Sequence, residues 1–268
     1  MTRRILWLAA ACLVYLLFAC YQLGLPGIHY DEAKEAGVNA VELLKGDPVT
    51  PFRAVALTLF GRQFPLMVQD YIGALNVYLA LPVLGLTGVG VPNLRLLSAL
   101  IGLTVLPLAA YTVSAWQMAE GDSSSLTPGY APLRERNDGD LLTWGGVMAA
   151  WLLAASSSFV FWSRQGIFVT NLMQPLCLLA IWQGTRWLAT GQRRNLWWAM
   201  AAAGFALYAK LLAVWVIGPW LLLLAILWLR ARRKGVAPRL DWVTAVGAIL
   251  LFVLPLVPLA FFNIQTAG

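Results

Sequence analysis

YIGALNVYLALPVLGLTGV, residues 71–89, is apolar enough to be taken for a membrane span, and whether it crosses decides the fold. No charge falls between Asp70 and Arg95. About 20 apolar residues cover a bilayer core, so length alone allows a crossing. The segment also holds Asn76, Pro82 and several glycines, and no basic clamp closes its far end. Its surroundings decide the matter. Other apolar segments fall at 5–23, 96–116, 143–162, 167–189, 195–210, 211–229 and 242–262. Basic clusters at Arg3-Arg4, Arg193-Arg194 and Arg230 through Arg239 mark inside ends, because Lys and Arg accumulate on the cytoplasmic side. Counting from the N-terminus puts residue 24 outside. Counting back from GQRRN (191–195) puts WSRQG (162–166) outside, the polar loop 117–142 with Arg134 and Arg136 inside, and Arg95 outside. A segment between two outside points cannot cross once. Residues 71–89 are therefore expected to lie along the outer surface or dip into it.

Composition agrees with a membrane chain. Of 268 residues 60% are hydrophobic and 12% charged, about half the charged share of a soluble domain. Mean hydropathy is +0.72. The runs are too long and continuous for barrel strands, so backbone polar groups must be satisfied within helices. The net charge of +7 sits beside the apolar runs, as a topology signal rather than a nucleic-acid surface. Cys12, Cys20 and Cys177 lie inside apolar runs with no CxxC spacing, and His29 is the single histidine. Neither a disulfide framework nor a metal site is indicated. The start, MTRRILWLAAACLVYLLFACYQLG, is expected to be an uncleaved first span with its basic end in the cytoplasm.

The expected fold is an all-α polytopic membrane protein of about seven transmembrane helices, forming one module over 1–268. The first span covers 5–23, an outer loop 24–94 follows, and six further spans occupy 96–262. The 195–229 stretch crosses twice, with its turn near Lys210. Two surface helices are expected in the outer loop, near 31–45 and 71–85. In DEAKEAGVNAVELLK (31–45), Ala33, Ala36, Ala40, Leu43 and Leu44 fall near helical spacing, with charges on the other faces. The membrane would be of the prokaryotic plasma type.

This topology gathers Asp31, Glu32, Arg95, Arg164 and Lys210 on the outer side, near the lipid boundary. Ionisable groups there are costly and so are candidates for function. One use for both signs is transfer of a group from a lipid-linked phosphate. Cations would hold the phosphate and stabilise its growing charge. A carboxylate would take the proton of an attacking hydroxyl.

Several stretches together carry a resemblance. HYDEA (29–33) follows the first span, and GRQFPLMVQDYIGAL (61–75) leads into the second surface helix. NLRLLSALIGLTVLPLAAY (93–111), FWSRQGIFVTNLMQPLCLLAIW (161–182) and GFALYAKLLAVWVIGPWLLL (204–223) come after. In this order they resemble the GT-C fold membrane glycosyltransferases, similar to the dolichyl-phosphate-mannose–protein mannosyltransferase and aminoarabinose transferase group. The resemblance covers nearly the whole chain as that family's seven-span module, with two juxtamembrane helices in the first outer loop. It implies an inverting hexosyl or pentosyl transferase that uses a polyprenyl-phosphate sugar and an acceptor hydroxyl or amine of a protein, lipid or glycan. It implies Asp31 as the catalytic carboxylate with Glu32 beside it, and Arg95, Arg164 and Lys210 at the donor phosphate. His29, Tyr30, Asp70 and Trp162 would line the site. No cofactor is required, though carboxylates and phosphate together could recruit a divalent cation. Two departures stand out. QGIFVTN has Asn171 where many relatives carry an acid, and Gln63-Phe64-Pro65 replaces a frequent Lys-Pro-Pro.

Plainer roles compete with these. Asp31 and Glu32 could cap the surface helix, where acids are favoured. Arg95 and Arg164 could anchor at headgroups, and the tryptophans suit an interfacial belt. The rival function is a non-catalytic polyprenyl-phosphate carrier or assembly protein, or a truncated, inactive transferase module.

Overall fold

The structure is a computed structural model that describes residues 3–25, 27–121, 141–165 and 170–266. The interior of the polar loop, with Arg134 and Arg136, lies outside the described residues, as do residues 166–169.

The chain is mostly helical. Helix α1 (Arg3–Cys20) leads into an irregular loop and then a continuous surface helix. That helix runs as α2 (Tyr30–Glu32), a π-wound turn (Ala33–Gly37) and α3 (Val38–Lys45), and it ends on left-handed Gly46. Two hairpins follow: β1 (Ala56–Leu59) with β2 (Arg62–Pro65), and β3 (Met67–Gln69) with β4 (Ile72–Gly73). The sequence reading placed two surface helices in this loop and named no strands there.

Helix α4 (Leu75–Thr87) is the stretch on which the topology turned. It has 13 residues, about 20 Å at 1.5 Å per residue against a core of roughly 30 Å. It is too short to cross. It packs beside α3 and the start of α5 (Val91–Gly121), burying Val77, Ala80 and Leu84.

Among the described residues, four helices can cross a membrane by length and apolarity: α1, α5, the stretch Leu211–Arg233 that contains α10 (Val214–Arg233), and Trp242–Thr266, formed by α11 (Trp242–Val253) and α12 (Val257–Thr266). A fifth is added if α6 (Trp144–Ala155) and α7 (Ser157–Gln165) count together, although they bend by 68°. The bend has a local cause. Ser156 is extended and its hydroxyl accepts from the Phe159 amide at 3.3 Å, capping a new helix. Helices α8 (Thr170–Thr190) and α9 (Arg193–Ala209) complete the bundle but fall short of the same test. The 17 residues of α9 rise only about 26 Å. The arrangement is that of an all-α membrane protein.

Small residues let the helices approach closely. Ala11, Ala99, Ala110, Ala150 and Ala154 line the α1–α5–α6 contact, and Ala180, Ala199, Ala202, Ala203 and Ala206 the α8–α9 contact. Lipid gives no hydrophobic drive between helices, so such close packing is what holds them. Gly146 is one contact point: a Cβ there would run into the Ser114 hydroxyl and the Ala110 carbonyl. Gly146→Ala is expected to cost roughly 1–3 kcal/mol by overpacking. Its thermal midpoint in detergent should fall clearly below that of the unaltered chain.

The two ends of the bundle differ. The hairpins and surface helices cap one end, where α1 stops and α5 starts. Arg4, bonded to the Leu142 carbonyl at 2.9 Å, lies at the other end. So do Arg193 at the start of α9 and Arg230, Arg232 and Arg233 in the last turn of α10.

Candidate functional site

The capped end is organised by a buried ion pair. Arg95, in the first turns of α5, donates through Nε to Glu32 Oε1 at 2.7 Å and through Nη2 to Glu32 Oε2 at 3.0 Å. Both side chains are 0% exposed. Nη1 also donates to the Leu23 carbonyl at 2.8 Å and Nη2 to the Gly27 carbonyl at 3.1 Å. Glu32 accepts in addition from the His29 amide at 3.2 Å, the reach-back half of a capping box. One bidentate pair thus ties the loop after α1, the surface helix and α5 together. Charge-assisted, two-pronged bonds of this kind are the strong ones. With no exposed atom, Arg95 and Glu32 set geometry here rather than meet a ligand.

Asp31, one residue earlier, points elsewhere. Its side chain is 37% exposed and its carboxylate stands 3.9 Å from His29 Nδ1. That ring nitrogen accepts from the Asp31 amide at 3.3 Å. Among the described residues the Asp31 carboxylate accepts no hydrogen bond, so its lone pairs remain available. The adjacent carboxylates have separated into one locked inside and one facing out.

Around Asp31 lies an exposed polar and aromatic surface. Lys34 Nζ stands 5.6 Å from the ring centres of both Tyr30 and Phe52. Phe52 stacks on Phe262 at 5.9 Å. Arg53, at φ +49°, lies over Phe52 and pairs with Asp70 at 2.6 Å. The surface helix, the 52–54 turn and the second hairpin therefore meet at this face. Of its members, Tyr30 and Asp70 were expected from sequence. Lys34, Phe52 and Arg53 were not. Lys34 could have been found, since Tyr30 and Lys34 are four apart on one helix face. Nothing local marks Phe52 or Arg53.

Arg164 and Lys210 approach from the bundle. Arg164, near the end of α7, donates through Nη2 to the Gln22 carbonyl at 2.7 Å and the Leu25 carbonyl at 3.3 Å. Its Nε is buried and finds no hydrogen-bond partner among the described residues. Arg95 and Arg164 thus grip the same loop from two helices. Trp162 is exposed beside Phe161, edge to face at 5.0 Å. The side chain of Asn171 lies outside the described residues. Lys210 is the extended break between α9 and the 3-10 turn Leu211–Ala213, where the sequence predicts a turn. It is buried and engaged. Its backbone bridges Ile72, and the Leu211 amide donates to the Tyr71 carbonyl at 2.9 Å. This bridge fastens the second hairpin to the bundle. Gly73 is required there, because a Cβ would strike the Tyr208 carbonyl and ring.

Further bonds make this end rigid. Tyr208 and Tyr78 donate to the Leu66 and Pro65 carbonyls. Burial, with Tyr208 beside it, holds the Tyr78 phenol well above its ordinary range, so it stays a donor. Between α1, α5 and α7, the buried Tyr15 hydroxyl lies 3.1 Å from the Ala99 carbonyl and 2.8 Å from Ser163 Oγ. Tyr15→Phe is expected to cost roughly 0.6–1.7 kcal/mol, the range for such bonds inside membranes. Equilibrium unfolding in mixed micelles reads that loss.

The arrangement offers a partly exposed carboxylate beside His29, on a platform tied to the bundle by the buried Arg95–Glu32 pair and by the exposed Arg164 contacts. That suits proton acceptance from a polar group held at the membrane boundary. Among the described residues no three His, Cys, Asp or Glu side chains gather as a metal site. Comparison with protein-family models, with curated proteins and with solved structures gave no match.

Proposed function

We propose that the chain is a membrane glycosyltransferase module of the GT-C kind, which moves a sugar from a polyprenyl-phosphate donor to an acceptor hydroxyl or amine on the extracytoplasmic side. The observation that carries this reading is Asp31: an exposed carboxylate with free lone pairs, presented at the capped end by the buried Glu32–Arg95 pair. In this reading α8 and α9 also cross, giving seven spans with α6 and α7 as one bent span. The basic ends of α1, α9 and α10 face the cytoplasm.

The step is a single displacement. The acceptor oxygen or nitrogen attacks the anomeric carbon, and its proton passes to the Asp31 carboxylate. The bond from that carbon to the phosphate oxygen breaks on the opposite face, and polyprenyl phosphate leaves with the electron pair. The anomeric centre inverts. Lys34, Arg164 and Lys210 are the cations for the phosphate, while Arg95 positions the loop and helix that carry Asp31. His29, Tyr30, Asp70 and Trp162 border the sugar and acceptor. A divalent cation recruited by carboxylates and phosphate would add charge stabilisation.

The test is transfer of labelled sugar from polyprenyl-phosphate donors by the full chain in liposomes, with and without the Asp31→Asn substitution. Transfer that depends on Asp31 supports the proposal. Donor binding without transfer in the unaltered chain overturns it in favour of a carrier.

A further inference from the structure

The β1–β2 hairpin is a two-sided ribbon whose apolar side no other described residue covers. Its register pairs Leu57 with Phe64 and Leu59 with Arg62 on one face, and Ala56 with Pro65 and Thr58 with Gln63 on the other. Leu57 and Leu59 are exposed, and Phe60 at the tip is 101% exposed. The tip is a two-residue turn with both residues left-handed, Phe60 at φ +52° and Gly61 at φ +74°. Turns of this type favour Asn-Gly. A bulky aromatic at positive φ is disfavoured, and no intramolecular contact compensates for it here. A lone two-stranded ribbon is also marginal in water. Something outside the chain must cover it.

Charge and continuity identify the cover as the bilayer surface. Between Asp47 and Asp70 the only charged residues are Arg53 and Arg62, and Arg53 is held by Asp70. Arg62 is exposed and reaches to Gly46, where a Cβ would stand 3.6 Å from Nη2. Exposed Lys45 and Asp47 flank Gly46. Leu44, two residues before Gly46, reaches α4 at Gly85. The ribbon is thereby continuous with α4, which is too short to cross, carries no charge and leaves Leu79 and Leu86 exposed. An uncharged outward face of this kind belongs in lipid.

We propose that the β1–β2 hairpin inserts its Phe60 tip and its Leu57–Leu59 face into the headgroup–acyl boundary beside α4, with Arg62 and Lys45 holding anionic lipid phosphates. Apolar residues flanked by cations are the pattern of interfacial anchors. The element is a membrane-binding device separate from the spans, and it stands whether or not the chain transfers sugars.

The experiment uses the full chain in phosphatidylcholine vesicles with and without phosphatidylglycerol. Both contain a phosphatidylcholine probe with a diazirine near the top of its acyl chain. After photolysis, adducts are mapped by peptide mass spectrometry. Adducts are expected on Leu57–Arg62 as well as on Leu86, rising with phosphatidylglycerol content. Phe60→Ser should lower hairpin labelling about threefold or more while leaving Leu86 unchanged, and Arg62→Glu should abolish the dependence on anionic lipid. Phe60 and Arg62 are both exposed, so the bundle itself is undisturbed. Labelling of Leu86 without the hairpin would overturn the proposal, since the ribbon would then stand in water. Absence of adducts from both would overturn it by removing the lipid-facing rim.

Discussion

Arg95→Ala is expected to destabilise the chain by roughly 3–5 kcal/mol, the cost of leaving a buried charge without its partner. Glu32 would keep its carboxylate at 0% exposure and lose both guanidinium bonds. The Leu23 and Gly27 carbonyls would lose their donors as well. The loop after α1 and the start of the surface helix should then loosen, with faster proteolysis between residues 21 and 32. Arg95→Lys should recover little, since a lysine ammonium cannot span two carboxylate oxygens and two carbonyls in one plane. The double variant Glu32→Leu with Arg95→Met should be nearer the unaltered chain than Arg95→Ala, because no uncompensated charge remains. Denaturant unfolding in mixed micelles measures all three. If Arg95→Ala unfolds together with the unaltered chain, the pair does not hold this end.

Asp31→Asn is expected to lower sugar transfer about 10²–10⁴-fold, the usual contribution of a positioned general base. Donor affinity should change little, since the amide keeps the shape of the side chain. Stability should be unaltered too, because the Asp31 carboxylate accepts no hydrogen bond among the described residues, and the Asp31 amide bond to His29 is a backbone contact. This distinguishes Asp31 from Glu32, whose loss should lower stability and activity together. The paired readouts are initial transfer rate and thermal midpoint on the same preparation. A fall in midpoint matching the fall in rate would reduce Asp31 to a structural residue.

Part of this end of the molecule could be read directly from the residues. Topology parity and the Asn, Pro and Gly content of 71–89 both opposed a crossing, and α4, at 13 residues, is short of the bilayer core. The surface helix after HYDEA was visible in its spacing, and the break at Lys210 in the need to return between two basic clusters. The gathering of Asp31, Glu32, Arg95, Arg164 and Lys210 at one end followed from the same count. Their partners did not. Glu32 and Arg95 are 63 residues apart, and no local pattern says that Arg95 closes on a carboxylate instead of an open phosphate site. The two hairpins were also hidden. ALTLFGRQFP has no Asn-Gly or Asp-Gly signal, and MVQDYIG is too short for alternation to show. The bend at Ser156 could have been suspected from three consecutive serines, but α6 and α7 are apolar enough together to pass for one straight span.

The sequence by itself determined that this is a helical membrane chain and where its apolar runs fall. That depends on residue-by-residue transfer between water and lipid, which runs of composition, Lys/Arg placement and helical spacing report without any knowledge of neighbours. Only the tertiary structure decided what Asp31 and Glu32, adjacent in the chain, each become. One faces solvent while the other is sealed against Arg95, because the direction of a side chain is set by the elements that pack around it and by the buried charges that must find each other there.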